Sequence, residues 1–336
     1  MKNIYGFIGA SVLMSLAAGC AKEATISSNE QTKTYIDAWI QVNHPDAVQS
    51  GAGIYILDDK PGDGKAYDGE TYPMISYTVR SVEGIVSSTT EEDIAKQVGD
   101  YVKGNYYGAK VWVKSDATMP VGIENMLEGM KVGGQRTALI PSWLMDFTRY
   151  DNNDEYIKHT PSKTSTSIYT ITLTDCTNDI TQWEINSMEG LIKEVFPGLD
   201  STARGFYLKE VEAPRDTHSF KKDSTVYINY IGRLLNGQVF DTTIKDTAKK
   251  YGIYSSSSTY EPRLINWGEK FEDLTMSSDK TTIISGFQRT LWKMRSHGKY
   301  VGIFNSSYGY GQSGNGTKIP PFSPLIFEIE QVDPEK

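Results

Sequence analysis

The sequence predicts an α+β fold of two tandem units, each a twisted antiparallel sheet wrapped around a short helix. The first observation is an internal repeat with a period near 155 residues, in which Gly-Ile-Tyr at 53–55 matches Gly-Phe-Tyr at 205–207. The second is that each unit closes on alternating apolar and polar residues, at 167–173 and 325–332, which is typical of a half-buried strand. We therefore predict units at 33–178 and 205–336, joined by a helical linker at 179–204.

The chain begins with a segment that predicts export. Lys2 precedes a mostly apolar run at 4–16, which is too short to span a bilayer permanently, and small or apolar residues at 16–19 precede Cys20. This spacing resembles the lipobox of bacterial lipoproteins. It predicts a signal peptide at 1–19, lipidation of Cys20 and a polar tether at 20–33. The alternative is an ordinary signal peptide followed by an incidental cysteine.

A lipid on Cys20 would anchor the chain to a membrane without a spanning helix. The pair Lys22-Glu23 resembles the surface-export signal of Bacteroidetes lipoproteins. We therefore expect an outer-membrane lipoprotein of the cell envelope, facing the periplasm or the cell surface. The second cysteine, Cys176, is expected to be a lone thiol buried in a strand.

A helix is predicted ahead of each unit. Apolar stripes at helical spacing occur in both places, and Pro197-Gly198 is expected to end the second helix. The stripe before the first unit comprises Tyr35, Ala38, Trp39 and Val42, and the stripe before the second comprises Ile185, Met188, Leu191 and Ile192.

Within the second unit, the residues Val226, Ile228 and Tyr230 share one face of a predicted strand. Asn236-Gly237 then lies between two apolar runs, which is a strong signal for a hairpin. A short helix is predicted next, with Gly298 at its C-terminus. The stripe that predicts this helix is formed by Phe287, Leu291 and Met294.

Composition excludes several classes of function. The chain has 336 residues, with 34 basic and 42 acidic side chains and a net charge of −8, so it lacks the electrostatic basis for general nucleic-acid binding. Two cysteines and four histidines exclude a disulfide framework and make a His- or Cys-based metal centre unfavourable. The sequence lacks GxSxG, P-loop and dinucleotide-binding motifs. Residues 151–154 lack the glycine and closing Glu of a calcium loop, and we interpret them as a solvated loop.

Four ordered blocks of the second unit resemble FKBP-type peptidyl-prolyl isomerases. They are YIGRLLNGQVFD at 230–241, IISGFQRTLWKM at 283–294, YGYG at 308–311 and KIPPFSPLIFEIEQV at 318–332. The resemblance implies two tandem FKBP-like domains and an isomerase that acts on Pro-containing polypeptides without a metal or cofactor. Each of these aromatic residues alone would be interpreted as a core residue. The order of the four blocks along the chain favours a substrate-binding site instead.

The resemblance implies site residues at the positions that match the family motifs. Asp241 and Tyr310 are the implied catalytic residues, and the backbone amide of Ile284 is expected to receive a substrate carbonyl. The implied substrate-binding residues are Tyr230, Phe240, Ile283, Ile284, Phe287, Ile319 and Phe327.

The second unit departs from the family pattern in three respects. Phe287 replaces the usual tryptophan of the pocket floor, and 44 residues separate Asp241 from Gly286, which is longer than usual. Arg263 stands where a pocket aromatic is expected, and Tyr260 or Trp267 is the candidate replacement.

The first unit retains few of the pocket residues. Tyr77 persists, but Ser87-Ser88 replaces the Phe-Asp pair, Ile123 stands at the floor position and Tyr169 holds the last aromatic position. We expect an inactive copy that serves as a spacer or a protein-binding surface. Two functions stay open for the whole chain: an envelope isomerase that assists protein folding, or a non-catalytic FKBP-like binding or scaffold lipoprotein.

Overall fold

The computed structural model describes residues 28–160, 165–276 and 281–334. The predicted signal peptide and Cys20 lie outside the described residues. The first part of the chain forms α1 (Ser28–Asn43), β1 (Val48–Gln49), β2 (Tyr55–Lys60), β3 (Tyr72–Arg80), β4 (Val86–Thr89), α2 (Glu92–Val98), β5 (Lys110–Val111), α3 (Val121–Leu127), β6 (Gln135–Ile140), α4 (Asn153–His159) and β7 (Ser167–Thr177).

The second part begins with a long helix and contains a larger set of strands. Its elements are α5 (Ile180–Val195), β8 (Ser201–Ala203), β9 (Phe206–Glu212), β10 (Thr225–Leu234), β11 (Val239–Thr242), α6 (Lys245–Tyr251), β12 (Arg263–Asn266), β13 (Thr275–Met276), β14 (Thr281–Thr282), α7 (Ser285–Lys293), β15 (Lys299–Phe304) and β16 (Leu325–Val332).

The two sheets repeat one topology, as the predicted fold class requires. The first sheet runs β1-β2-β6-β7-β3, with β4 and β5 both paired to β3, and the second runs β8-β9-β15-β16-β10, with β11 and β12 both paired to β10. The pairs are antiparallel throughout both sheets. The second sheet continues through β13 and β14. The prediction of an α+β fold with two tandem antiparallel sheets is confirmed.

Each sheet packs its concave face on one short helix. In the first unit, α3 packs against β6, and Ile123 and Leu127 of this helix are fully buried. In the second, α7 packs against β15 and β16, with Phe287 and Leu291 in the core. The opposite face of the second sheet is covered by α5, whose Met188 lies in a separate apolar cluster. Burial of these faces supplies the main driving force for both units.

The buried face of α1 differs from the predicted one. Tyr35 is 53% exposed and Val42 is 79% exposed, whereas Ile36 is fully buried and Ile40 is 9% exposed. The cause lies in Asn29, whose buried amide donates hydrogen bonds to the carbonyls of Ile157 and Thr160. These bonds fix the rotation of α1 about its axis, so the neighbouring stripe faces the core. On α5, in contrast, Ile185, Met188 and Ile192 are buried as predicted.

Three further details refine the predicted elements. α7 ends at Lys293, and Gly298 lies in a turn ahead of β15, so Gly298 does not end the helix. Residues 201–203, predicted as part of a helical linker, form the edge strand β8. Cys176 is buried in β7, as predicted.

Candidate functional site

A tight hairpin positions three of the predicted site residues. The turn at Asn236-Gly237 connects β10 to β11, and Gly237 has a φ of +85°, which glycine adopts without strain. The register pairs Gly232 with Asp241, so Tyr230 on β10 lies near Asp241 on β11.

Gly232 is required by the aromatic packing above it. A Cβ atom at this position would lie 2.7 Å from the ring of Phe240 and 3.0 Å from that of Phe327. Contacts below 3.0 Å are not tolerated without displacement of a neighbour. The glycine of the block at 230–241 therefore lets two rings close over the strand, where they help to form the floor of a cavity.

Four aromatic side chains form a tightly packed cluster at this end of the sheet. The centroid of Phe287 lies 4.9 Å from that of Phe327 and 5.4 Å from that of Tyr230, with interplanar angles of 90° and 85°. Phe240 packs edge-on against Phe327 at 5.6 Å. Edge-to-face pairs of this kind add stability beyond the area they bury. The cluster therefore forms a rigid apolar floor.

A cavity of about 230 Å³ opens above this floor. Its lining brings together residues from the hairpin, the start of α7, the start of β16 and the segment that follows β15. The lining residues are Tyr230, Phe240, Asp241, Met276, Thr281, Thr282, Ile283, Ile284, Phe287, Tyr310 and Phe327.

The cavity contains one fixed polar pair. The hydroxyl of Tyr230 donates a 2.7 Å hydrogen bond to Oδ2 of Asp241, while Oδ1 accepts the backbone N–H of Thr242 at 2.9 Å. Burial, together with the Asp241 carboxylate, raises the pKa of Tyr230. Tyr230 therefore stays protonated at neutral pH and holds the carboxylate in place. Asp241 is exposed at the rim, where it can also be reached from solvent.

Two further donors face the cavity. Ile284 immediately precedes α7, with φ −60° and ψ 143°, and its N–H has no acceptor among the described residues. Burial raises the pKa of Tyr310, a shift that a hydrogen bond with the side chain of Asn315 opposes and the nearby Asp241 reinforces. The hydroxyl of Tyr310 is therefore a neutral donor. An apolar floor with donors at the rim suits a ligand that has an apolar ring flanked by carbonyl groups.

The structure places eight of the nine predicted site residues around this cavity. The exception is Ile319, which is 2% exposed and lies in the core of the second unit rather than in the cavity lining. Ile319 belongs to the same core cluster as the floor aromatics, and the motif alone does not distinguish such a core position from a lining position.

The wall opposite the hairpin differs from the expected one. Tyr260 and Trp267 do not line the cavity, so neither substitutes for the aromatic side chain that Arg263 replaces. Trp267 stacks instead on Trp292 at 5.7 Å, and Tyr260 stacks on Tyr254 at 5.4 Å. The wall is built by Met276 and by Thr281-Thr282 of β13 and β14. Their sequence carries no motif that could have identified them.

In the first unit, the register brings different residues to the equivalent positions. Val79 pairs with Ser88 as Gly232 pairs with Asp241, so a valine fills the space that glycine leaves open and a serine replaces the carboxylate. Ile123, on the helix, is fully buried. The phenylalanine at the centre of the floor, the carboxylate and the glycine are therefore replaced at these positions of the first unit.

Comparison with known proteins agrees with this geometry. Residues 216–332 match the family described as FKBP-type peptidyl-prolyl cis-trans isomerase. The second unit is an FKBP-type domain. It includes the hairpin, α7 and the closing strand that together form the cavity.

Curated relatives are similar over the same part of the chain. A probable FKBP-type peptidyl-prolyl cis-trans isomerase of Haemophilus influenzae is 26% identical over 132 residues, which are 39% of this chain and 44% of the relative. The FKBP-type 22 kDa peptidyl-prolyl cis-trans isomerase of Escherichia coli is 25% identical over 136 residues, which are 40% of this chain and 53% of the relative. The chain thus spans about half the length of these relatives.

Solved structures include similar proteins as well. A peptidyl-prolyl cis-trans isomerase from Pseudomonas syringae is 25% identical, with a TM-score of 0.33, and the match covers 48% of this chain and 97% of that one. The three FKBP domains of a wheat protein are 14% identical, with a TM-score of 0.30, and the match covers 83% of this chain and 94% of that one.

Neither a metal-binding cluster nor a membrane-spanning helix is found in the described part of the chain. Residues 28–160, 165–276 and 281–334 contain no group of three or more His, Cys, Asp or Glu side chains that could hold a metal ion. In the same ranges, no helix is both long and apolar enough to cross a membrane.

Proposed function

We propose that this protein is a peptidyl-prolyl cis-trans isomerase whose chemistry resides in the FKBP-type domain. The observation that carries the proposal is the cavity itself: an aromatic floor centred on Phe287, with the N–H of Ile284 and the hydroxyl of Tyr310 at its rim. A proline ring fits an aromatic floor, and the flanking carbonyls fit the two donors. The family match of residues 216–332 and the names of the relatives support the same activity.

The proposed mechanism needs no covalent step. Rotation about an X-Pro bond has a barrier of about 18–20 kcal/mol, which arises from amide resonance, and without a catalyst it takes about 10–100 s. In the transition state the amide is twisted, and its charge separation is reduced. A dry apolar cavity therefore stabilises the twisted state relative to the planar one, and only such differential binding accelerates the reaction.

Each polar group has a distinct role in this mechanism. The N–H of Ile284 and the hydroxyl of Tyr310 bind the carbonyls on either side of the rotating bond and hold the peptide while it twists. Asp241 accepts the hydrogen bond of Tyr230. This bond keeps the Tyr230 ring in the cavity floor and leaves the Asp241 carboxylate near the rim. Proton transfer is not required at any of these groups.

A protease-coupled assay tests the proposal directly. The mature chain, residues 20–336, is mixed with an Ala-Leu-Pro-Phe peptide, of which the protease cleaves only the trans form. We expect the slow phase to accelerate in proportion to protein concentration. A folded protein that leaves this phase unchanged would contradict the proposal.

A second candidate is a non-catalytic binding or scaffold protein. It is favoured by the departures at the cavity, where Phe287 gives a smaller floor than tryptophan and Met276 with two threonines replaces an aromatic wall. Such a protein would bind Pro-containing segments but leave their isomerisation rate unchanged. The assay above, combined with peptide binding followed by isothermal titration calorimetry, separates the two functions.

For its location, we propose that Cys20 carries a lipid that anchors the protein in the cell envelope, where it assists the folding of exported proteins. The support is the run of small residues before Cys20 and the polar segment after it. We expect Cys20→Ser to move the protein from the membrane fraction to the supernatant, because stable anchoring requires about two acyl chains. If the Cys20→Ser protein stays with salt-washed membranes, the lipoprotein proposal is wrong.

A further inference from the structure

A loop of the first unit packs against the second unit. This loop, residues 101–109, connects α2 to β5 and is called here the docking loop. Its half-buried Tyr106 packs against the core of the second unit, and burial raises the pKa of this tyrosine. The hydroxyl of Tyr106 donates to the carbonyl of Ala109 at 2.9 Å, which ties the loop to the start of β5.

One side of the docking loop is bonded to the segment between Tyr310 and β16. We call this segment, residues 311–323, the flap. The N–H of Tyr106 donates to the carbonyl of Thr317 at 2.8 Å, and the hydroxyl of Thr317 donates to Oδ1 of Asn105 at 2.6 Å. The first unit also contacts the end of the flap, where the rings of Tyr72 and Phe322 meet edge-to-face at 5.4 Å.

The other side of the docking loop is bonded to the hairpin. Nε2 of Gln238 donates to the carbonyls of Gly104 and Asn105, each at 3.1 Å. Gln238 is followed two and three residues later by Phe240 and Asp241, which line the cavity. The docking loop therefore bonds to both elements that flank the cavity: the hairpin with Phe240 and Asp241, and the flap that begins directly after Tyr310.

The flap has few constraints of its own. Gly311, Gly314 and Gly316 all have φ near +60°, and glycine loses more conformational freedom on ordering than any other residue. Within the flap, Asn315 and Ile319 exchange backbone bonds, and the N–H of Phe322 donates to Gly311. A segment with three such glycines gains much of its order from outside contacts. Here these are the burial of Ile319 in the core of the second unit and the bonds that the flap makes with the first unit.

We propose that the docking loop of the degenerate first unit positions the flap and the hairpin of the isomerase cavity, with Asn105, Tyr106 and Gln238 as positioning residues. The proposal rests on the proposed isomerase function. It assigns the first unit a role in the activity of the second: an intramolecular clamp that keeps Tyr310 and Phe240 at the distances a bound prolyl peptide requires. Positioning of this kind governs rate because misplacement of binding groups by about 1 Å is costly.

The test uses the mature full chain and two readouts. Gln238→Glu keeps the size of the side chain but removes the N–H donors that bind the two loop carbonyls, and Tyr106→Ala removes the ring that packs on the second unit. For each, we expect kcat/KM on the prolyl peptide to fall about two- to tenfold, the range that corresponds to loss of one ordinary hydrogen bond. Hydrogen exchange of flap amides should accelerate by a similar factor.

Matched variants control for general effects of substitution. Gln182→Ala removes a glutamine whose amide bonds to Asn186 within α5, and Tyr35→Ala removes an exposed tyrosine of α1. Both should leave kcat/KM and flap exchange unchanged. Tyr106→Phe retains the ring and the backbone donor but loses the hydrogen bond to Ala109, so we expect both of its readouts to lie between those of Tyr106→Ala and the parent protein.

The outcomes separate this proposal from the proposed function. Faster flap exchange together with lower kcat/KM in both test variants, at unchanged circular dichroism, supports the clamp. Unchanged exchange overturns it, and so does faster exchange at unchanged kcat/KM, because the loop would then only join two units. If the parent protein is folded but inactive, the proposed isomerase function is wrong. The clamp is then tested by flap exchange and by the affinity for the prolyl peptide: faster exchange with weaker binding in both test variants supports it, and an unchanged value of either overturns it.

Discussion

The most specific prediction concerns one hydrogen atom, the N–H of Ile284. Replacing this residue with proline deletes the donor without changing the backbone, because φ is −60° at Ile284 and proline fixes φ near −65°. Ile283, which precedes it, lies outside α7, so a proline at position 284 does not interrupt a helix. Since this N–H has no acceptor among the described residues, the free protein loses no internal hydrogen bond.

The expected fall in kcat/KM follows from the hydrogen bond that a substrate carbonyl loses. A peptide carbonyl that enters the cavity opposite Ile284→Pro is desolvated but finds no donor, and an unsatisfied buried acceptor costs about 1–3 kcal/mol. At about 1.4 kcal/mol per tenfold, kcat/KM should fall roughly five- to a hundredfold. The free energy of unfolding should change by less than about 1 kcal/mol, as for other substitutions at compatible backbone positions.

The assay compares Ile284→Pro with Ile284→Ala in the protease-coupled reaction. Ile284→Ala retains the N–H and loses only part of the apolar rim, so its deficit measures the side chain alone. We expect the proline variant to be clearly slower than the alanine variant at equal stability in urea. Equal kcat/KM values for the two variants would refute the assignment of Ile284 as a donor to the substrate.

Three other predictions follow from the structure. Gly232→Ala should destabilise the second unit by about 1–3 kcal/mol in urea unfolding, since its Cβ would overlap the ring of Phe240; an unchanged midpoint would contradict the packing argument. Burial disfavours the Glu70 carboxylate, but Lys65 and the Asp68 N–H outweigh this and lower its pKa to about 2. The stability it contributes is fully present above pH 4.5 and is lost as pH falls from there through 2, so Glu70→Gln should cost about 1 kcal/mol at pH 7 and close to nothing at about pH 1; equal loss at both values would refute this. Residues 182–336 should unfold cooperatively alone, with faster flap exchange than in the full chain; absence of a cooperative transition would contradict the two-unit organisation.

Local patterns predicted the parts of the site that depend on neighbouring residues. The hairpin follows from Asn236-Gly237 between alternating strands, and the buried face of α7 follows from Phe287 and Leu291 at i and i+4. Both signals act over fewer than ten residues, where sequence spacing maps directly onto a face of a strand or helix. The first unit could be interpreted as a degenerate copy from equally local differences, because Ser87-Ser88 and Ile123 stand at the positions of the Phe-Asp pair and the floor residue.

Features set by tertiary contacts were not predictable from the pattern. Two stripes of α1 are apolar, and the buried one was selected by the hydrogen bonds of Asn29 to a segment more than a hundred residues away. The cavity wall at Met276 depends on how a short hairpin folds over the floor. Ile319 was assigned to the site through its motif, but it lies in the core of the second unit and not in the cavity lining. The docking loop carries no motif, since its bonds use mostly backbone groups.

The central claim is that isomerase activity belongs to the second unit and to the cavity around Asp241 and Tyr310. The direct measurement is kcat/KM on the prolyl peptide for the mature chain, for Asp241→Ala combined with Tyr310→Phe, and for a Ser87→Ala, Ser88→Ala control at the equivalent positions of the first unit. We predict about a five- to hundredfold loss in the first double variant, unchanged circular dichroism, and parental activity in the control. Full activity of the Asp241→Ala, Tyr310→Phe protein, or an equal loss in the control, would contradict the claim.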